Sequence, residues 1–150
     1  MDNIQYGKLD ATEDDCKGAA NEANINKFSI NNEKKEEIEG EKKDEEVKIS
    51  KIEKKRLDIA RAFLKNPIIL LLDEVTSSLN KNDELEIQKY LDKLRKNRTS
   101  ITITKRLNAI EKFDKIFVLE SGRLVEQGNH QELISLKNKY YNLYKYSVTI

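Results

Sequence analysis

A run of five aliphatic residues that ends in two acids constrains this chain more than any other stretch. The run covers 68–72, Pro67 precedes it, and Asp73 and Glu74 follow it directly. A continuous apolar run of this length predicts a strand that is buried on both faces of a parallel sheet. Open α/β sheets bind their ligands at the carboxyl ends of such strands. The two acids therefore stand where a site is expected.

Paired acids at a strand end suit a metal–phosphate site. One carboxylate would reach Mg²⁺ and the next would polarise a water molecule. The alternative is a strand that simply exits into a polar turn. The run alone leaves both interpretations open, because short apolar runs are ambiguous.

The composition excludes several classes of protein. The 28 basic and 27 acidic residues nearly cancel, so no overall charge attracts nucleic acid or an acidic partner. Cys16 is the only cysteine, which excludes an intrachain disulfide and fits a reducing compartment. No apolar run approaches the roughly 18 residues that a membrane span needs, and no signal peptide is evident. We expect a cytoplasmic chain without a membrane span of its own, which reaches a membrane only through a partner.

Helical and strand patterns alternate along the chain. Thr12 and Asp15 form a predicted capping box for a helix over about 12–25. Phe28 and Ile30 are expected to pack just beyond it. The later elements are a helix over 51–65, the strand at 68–72, a helix with Ile87, Tyr90, Leu91 and Leu94 on one face, a half-buried strand at 100–104, a hairpin of 115–119 and 123–127, a helix from about Gln131 and a tyrosine-rich helical tail. This alternation predicts an α/β architecture with a largely parallel sheet.

Several motifs occur in an order that resembles the ATP-binding domain of ABC transporters, in the exporter or multidrug-resistance branch. They are YGKLDAT at 6–12, Ser50, ARA at 60–62, LLLDE at 70–74, TSSL at 76–79 and RLVEQG at 123–128. The resemblance covers the C-terminal half of that domain only. It implies an incomplete P-loop NTPase-type α/β fold, with a mostly parallel sheet, flanking helices and a partial helical subdomain.

The resemblance also implies a division of the chain. Residues 1–30 would be the partial helical subdomain, and 31–48 a charged insert that is expected to be disordered because it has almost no apolar side chains. Residues 49–136 would be the C-terminal part of the ATPase core, and 137–150 a helical tail.

By resemblance, the acid pair is the Walker B motif of a domain that uses ATP and Mg²⁺. Asp73 would hold Mg²⁺ through water, and Glu74 would be the general base for the attacking water. Ser50 matches the signature motif, Asn80 the aspartate that ends the D-loop, and Lys105 the switch histidine.

Three departures from the family pattern bear on activity. The phosphate-binding loop GxxxxGK[ST] is absent, since no pair of the five glycines has the required spacing. Lys51 and Ile52 replace the signature glycines, so Ser50 can also be interpreted as a helix N-cap that pairs with Glu53. Lys105 offers a point charge in place of an imidazole.

Asn80 and His130 also bear on the chemistry that the resemblance implies. Asn80 keeps the hydrogen bonding of the D-loop aspartate and loses its charge. The single histidine, His130, is expected to begin a helix and not to bind a ligand.

Two functions from different classes remain open. The first is a fragment of an ABC-type ATP-hydrolysing domain, which would be inactive alone. Another chain would have to supply the phosphate loop. That chain would be a partner ABC subunit, or the second member of a dimer of ATP-binding domains. The second is a non-catalytic protein that docks onto intact ABC subunits through 76–80 and the terminal helices. A nucleic-acid binder, suggested by lysines and tyrosines at 137–146, is not expected, because that spacing is typical of a packing face. We also expect the chain to be only marginally stable. Without the strand that leads into the phosphate loop, the neighbouring strand that leads to the switch position would have an unpaired edge.

Overall fold

A computed structural model of the protein describes residues 2–25 and 49–148. The chain forms two compact units, Met1–Ile103 and Thr104–Ile150. Each unit has its own apolar cluster and its own two-stranded sheet. The expected packing of Phe28 and Ile30 and the charged insert at 31–48 lie outside the described residues.

The described helices of the first unit are α1 (Asp2–Gln5), α2 (Glu13–Glu22), α3 (Lys51–Lys65) and α4 (Lys81–Arg95). The second and third begin at polar caps that the sequence predicts, Thr12 and Ser50. At α2, the Thr12 hydroxyl accepts a hydrogen bond from the Asp15 N–H at 3.2 Å, and the Asp15 carboxylate accepts one from the Thr12 N–H at 2.9 Å. The predicted capping box is therefore confirmed. α3 ends at Asn66, which is left-handed with φ 45°, just before Pro67.

A parallel pair of strands forms the sheet of the first unit. Strand β1 (Ile69–Asp73) pairs with β2 (Thr99–Ile103), and Leu71 lies opposite Ile101. Leu70 and Leu72 point to the inner face and are buried. They belong to the same apolar cluster as the buried side chains of α3 and α4, which are Ile59, Ala60, Ile87, Leu91 and Leu94.

The outer face of this sheet is exposed and apolar. Ile69 and Leu71 of β1 are 59% and 71% exposed, and Ile101 and Ile103 of β2 are 56% and 58% exposed. The prediction that the strand is buried on both faces is therefore wrong for the described residues. The inner face packs on helices of this unit, whereas nothing in the described part of the chain buries the outer one.

A β-hairpin organises the second unit. Strands β3 (Ile116–Glu120) and β4 (Arg123–Gly128) pair antiparallel, as predicted, around Ser121 and Gly122. Both turn residues have positive φ, 48° and 76°, which suits the twist of a two-residue hairpin turn. The unit also contains a 3₁₀ turn (Leu107–Ala109) and the helices α5 (His130–Leu136) and α6 (Lys139–Val148).

The Glu126 carboxylate of β4 holds the start of α6. Its two oxygens accept hydrogen bonds from the backbone N–H groups of Lys139 at 2.6 Å and Tyr140 at 3.2 Å. These donors belong to the first turn of a helix, where the backbone itself supplies no acceptor. The negative charge also suits the positive end of the helix dipole. The Tyr140 side chain is buried with Ile116, Val118 and Leu133.

The mixed α/β class that the sequence predicts is confirmed, but the sheet content differs. The described residues form one parallel pair and one antiparallel pair, and not a largely parallel sheet. The difference arises because the only helical crossover between paired strands in this part of the chain is the one from β1 through α4 to β2.

Candidate functional site

The acid pair lies at the carboxyl end of β1. Asp73 is the last residue of the strand, it lies opposite Ile103 of β2, and it is exposed. Because the two strands are parallel, their carboxyl ends share one edge of the sheet, where α/β proteins bind ligands. The Asp73 carboxylate is thus open to a solute at this edge.

Glu74 has an unusual backbone conformation. Its φ is +42°, in the left-handed region that side chains other than glycine rarely adopt. Such a conformation costs about 1–2 kcal/mol and persists only where the surroundings enforce it, most often at functional sites. The Glu74 side chain is half-buried. The strand therefore ends in a residue that the fold holds in a strained state.

Hydrogen bonds on both sides hold the Glu74 backbone. Its N–H donates to the carbonyl oxygen of Ile103 at 2.9 Å, which ties it to the end of β2. Its carbonyl oxygen accepts from the Ser77 N–H at 3.0 Å and from the Ser77 Oγ at 2.8 Å. The residue is thus fixed from the neighbouring strand on one side and from the following turn on the other.

Asn80 closes this turn and begins α4. Its Oδ1 accepts a hydrogen bond from the Asp83 N–H at 2.9 Å, and its Nδ2 donates to the Asp83 carboxylate at 2.8 Å. The turn itself is anchored by Leu79 and Thr76, which are both buried. Asn80 therefore acts as a helix cap, and its function at the D-loop position stays a prediction.

Ser50 caps α3 in the same way. Its Oγ accepts a hydrogen bond from the Glu53 N–H at 3.3 Å, and the Glu53 carboxylate accepts one from the Ser50 N–H. The interpretation as a capping residue is confirmed. Any contact of Ser50 with a nucleotide stays a prediction, although its exposed position leaves the hydroxyl accessible.

Lys105 belongs to the second unit and is exposed. It follows Thr104, whose Oγ1 accepts a hydrogen bond from the Arg106 N–H at 3.0 Å and so bends the chain after β2. Four of the five predicted site residues thus lie in the first unit, and Lys105 follows the end of β2 by two positions in the sequence.

The exposed carboxylate of Asp73 is the ligand that this edge is expected to offer to a metal ion. No cluster of three or more histidine, cysteine or acidic side chains that could hold a metal ion occurs in residues 2–25 and 49–148. Mg²⁺ commonly takes one or two carboxylates and completes its coordination with water and substrate phosphates. Asp73 is the residue that would hold such an ion.

His130 takes part in packing. It is the first residue of α5, and its Nδ1 lies 2.8 Å from the hydroxyl of the buried Tyr140. Its ring also meets Tyr140 and Tyr144 edge to face. The prediction that His130 starts a helix is confirmed.

Sequence reasoning missed two residues that the structure makes prominent. The contact of Ser77 with Glu74 was not predicted, although Ser77 lies in the TSSL motif and serine often bonds backbone three residues earlier. Glu126 was missed as a cap because it lies 13 residues before Lys139, beyond any local capping pattern.

Within the described residues, every helix is too short or too polar to cross a bilayer.

Comparison with known proteins agrees with the motifs. No protein-family model matches the chain. ABC transporter B family member 13 of Arabidopsis thaliana is 44% identical over 140 residues, which is 93% of this chain and 11% of that protein. The ATP-dependent lipid A-core flippase of Methylobacillus flagellatus is 44% identical over 146 residues, 97% of this chain and 25% of that protein. Multidrug resistance protein homolog 65 of Drosophila melanogaster is 40% identical over 142 residues, 94% of this chain and 11% of that protein.

A solved structure has a similar fold. It is a bacterial Atm1-family ABC exporter with ATP bound, with a TM-score of 0.78, 34% identity and coverage of 97% of this chain. The chain is therefore a homologue of ABC transporters, and within them of the exporters. It spans about a tenth to a quarter of the length of these proteins.

Proposed function

We propose that this chain is the C-terminal part of an ATP-hydrolysing domain of the ABC exporter type. Asp73 holds Mg²⁺ through water and Glu74 is the general base for the attacking water, as in a Walker B motif. The observation that carries the proposal is the place of the two acids, at the carboxyl end of a parallel strand, with Glu74 fixed in a strained conformation. The fold is then an incomplete P-loop NTPase-type domain, with 1–30, 49–136 and 137–150 as its three parts around the insert at 31–48.

The 150 residues do not hydrolyse ATP by themselves in this proposal. Nucleotide affinity in such domains comes mainly from a loop whose backbone N–H groups surround the phosphates, and this sequence has no such loop. Lys51 and Ile52 also replace glycines that would allow close approach to phosphate. Lys105 cannot orient water as a neutral imidazole does. A further segment, in the same or another polypeptide, must supply the phosphate loop.

The partners follow from the same reasoning. The names of the relatives describe flippase and multidrug-resistance proteins. An ABC transporter subunit or membrane domain would join this chain at the cytoplasmic face of a membrane, with a second ATP-binding domain as the dimer partner. ATP and Mg²⁺ would be the cofactors.

Reconstitution tests this function directly. The isolated chain is compared with the same chain mixed with the N-terminal half of an ATP-binding domain from an exporter, which carries a phosphate loop. We expect Mg²⁺-dependent ATP hydrolysis in the mixture only. Glu74→Gln should lower kcat about a hundredfold or more, which is the usual contribution of a general base. Glu13→Gln removes only an exposed ion pair with Lys17 and is the control.

Besides a mixture that hydrolyses no ATP, two results would contradict the proposal. Hydrolysis by the isolated chain would show that the missing loop does not disable it. Undiminished activity in the Glu74→Gln mixture would show that Glu74 is not the base.

A second function is favoured by the exposed apolar face of Ile69, Leu71, Ile101 and Ile103. In that case the chain docks onto an intact ABC subunit and modulates it without chemistry of its own. The native chain and the Glu74→Gln variant would then change the ATPase rate of the intact subunit to the same extent, because the carboxylate would take no part in the effect.

A further inference from the structure

Hydrogen bonds from two directions restrain the strained conformation of Glu74. The Ile103 carbonyl fixes its N–H, and Ser77 fixes its carbonyl oxygen with both a backbone and a side-chain donor. The Ser77 side chain is exposed, so its hydroxyl could equally bond to water. It donates to the one residue in this turn with a positive φ.

A second serine in the chain makes the same kind of contact without strain. Ser135 Oγ donates to the Glu132 carbonyl oxygen at 2.7 Å, again three residues earlier. Glu132 lies in the first turn of α5 and is not among the residues with positive φ. The bond at Ser135 therefore belongs to an ordinary helix, whereas the bond at Ser77 is made to a residue with a positive φ.

We propose that Ser77 is a positioning residue for the Glu74 carboxylate. The proposal deepens the function given above and rests on Glu74 being the general base. The hydrogen bond from Ser77 Oγ keeps the Glu74 carbonyl group directed toward residue 77. This holds the backbone of Glu74 in the left-handed region.

The direction of the carboxylate follows from the backbone. The φ and ψ angles of a residue set the direction of its Cα–Cβ bond relative to the chain on either side. Because the Glu74 N–H is fixed to β2 and its carbonyl to Ser77, the Cβ has one direction relative to the sheet edge. Relaxation of Glu74 to a right-handed conformation would turn the side chain away from that direction.

The first test measures the conformation of Glu74 in the chain itself. Backbone chemical shifts and the HN–Hα coupling of Glu74 are recorded by NMR for the native chain, Ser77→Ala, Ser77→Thr and Ser135→Ala. We expect Ser77→Ala to shift the Glu74 signals toward ordinary φ, Ser77→Thr to restore them, and Ser135→Ala to leave them in place. An unchanged positive φ in Ser77→Ala would overturn the proposal.

The second test measures catalysis in the reconstituted mixture. Misplacing a catalytic group by about 1 Å can cost about a hundredfold in rate. Ser77→Ala should therefore lower kcat between about tenfold and a hundredfold and change KM for ATP by less than about twofold. Ser77→Thr should recover most of kcat. A loss in KM with kcat intact would contradict a positioning function.

The two tests separate the proposals from each other. If the native mixture hydrolyses no ATP, the proposed function fails, and the NMR measurement still decides whether Ser77 holds Glu74. If the mixture is active and depends on Glu74, but Ser77→Ala changes neither kcat nor the Glu74 signals, only the positioning function fails.

Discussion

A Cβ atom on Gly7 would lie 2.5 Å from the carbonyl oxygen of Arg61 in α3. Real side chains do not approach a backbone oxygen so closely, and a backbone atom cannot move aside as a flexible side chain can. The Arg61 side chain reinforces the contact, because its Nε donates to the Asn3 carbonyl oxygen at 2.7 Å. The short helix α1 therefore packs on α3 only because residue 7 is glycine.

Replacing Gly7 with alanine should destabilise the first unit. We expect a loss of about 1–3 kcal/mol in the free energy of unfolding, which is typical of an added methyl group in a packed contact. Gly18→Ala is the matched control, because a Cβ at residue 18 meets nothing within 4 Å inside α2. That change should stabilise by about 1 kcal/mol, since alanine favours a helix over glycine. Urea unfolding followed by circular dichroism measures both, and equal effects would refute the close contact.

The left-handed conformation of Glu74 predicts an order of stability for two truncations. Glu74→Gly and Glu74→Ala both remove the carboxylate, but only glycine adopts a positive φ without cost. We expect the glycine variant to be more stable than the alanine variant by about 1 kcal/mol. At a residue with ordinary φ, alanine would be the more stable of the two. Thermal or urea unfolding of the two variants shows which one is more stable.

Local patterns in the sequence predicted the helix starts well. Thr12 with Asp15 and Ser50 with Glu53 each place two partners three residues apart, and both capping boxes are present. The hairpin around Ser121 and Gly122 was predicted for the same reason, since a turn and its strands are adjacent in the chain.

Features that depend on distant residues could not be predicted in this way. The apolar run at 68–72 reads as a strand covered on both faces, yet Leu71 is exposed, because coverage depends on elements that no local pattern reports. The positive φ of Glu74 depends on Ile103, which is far along the chain. The acid pair could be placed at a strand end from the sequence, but its strain could not.

A charged side chain should destabilise the fold strongly on one face of β1 and hardly at all on the other. Leu70 is 5% exposed and Leu71 is 71% exposed. Leu70→Lys buries an ammonium group among α3 and α4, so it should unfold the unit or cost several kcal/mol. Leu71→Lys should change the free energy of unfolding by less than about 0.5 kcal/mol and should reduce self-association, because it interrupts an exposed apolar patch.

Urea unfolding and light scattering together measure these effects. A large loss of stability in Leu71→Lys would mean that the outer face is covered in solution. Leu119→Lys provides a comparison, because Leu119 is similarly exposed on the hairpin of the other unit.

The pH dependence of stability should show one step at high pH. Burial raises the pKa of Tyr140 from its ordinary 10 to about 12, because the charged phenolate is poorly solvated there. The folded state therefore favours the neutral phenol, and this stability is complete below about pH 10 and is lost as the pH rises toward 12 and beyond. A hydrogen bond to Glu111 also raises the pKa of Tyr144, which adds a smaller loss of the same sign.

Tyr140→Phe should abolish most of this fall in the free energy of unfolding between pH 10 and 12. It also removes the contact with His130 and so lowers stability at neutral pH by about 1 kcal/mol. Tyr146→Phe is the control, since Tyr146 is 73% exposed. Denaturation midpoints at pH 8 to 12, together with phenolate absorbance, measure the effect. If the stability of Tyr140→Phe falls with pH as steeply as that of the native chain, groups other than Tyr140 cause the step.

The carboxylate of Glu126 also has a consequence for the order in which the second unit assembles. The first two amides of α6 find their acceptors only on β4, so they become protected from solvent exchange only once the hairpin is in place. When the hairpin of β3 and β4 opens, the first amides of α6 therefore become exposed to solvent, although α6 is not adjacent to the hairpin in the sequence. Amide exchange at Lys139 and Tyr140 should follow the exchange of β4 and not that of the last turn of α6.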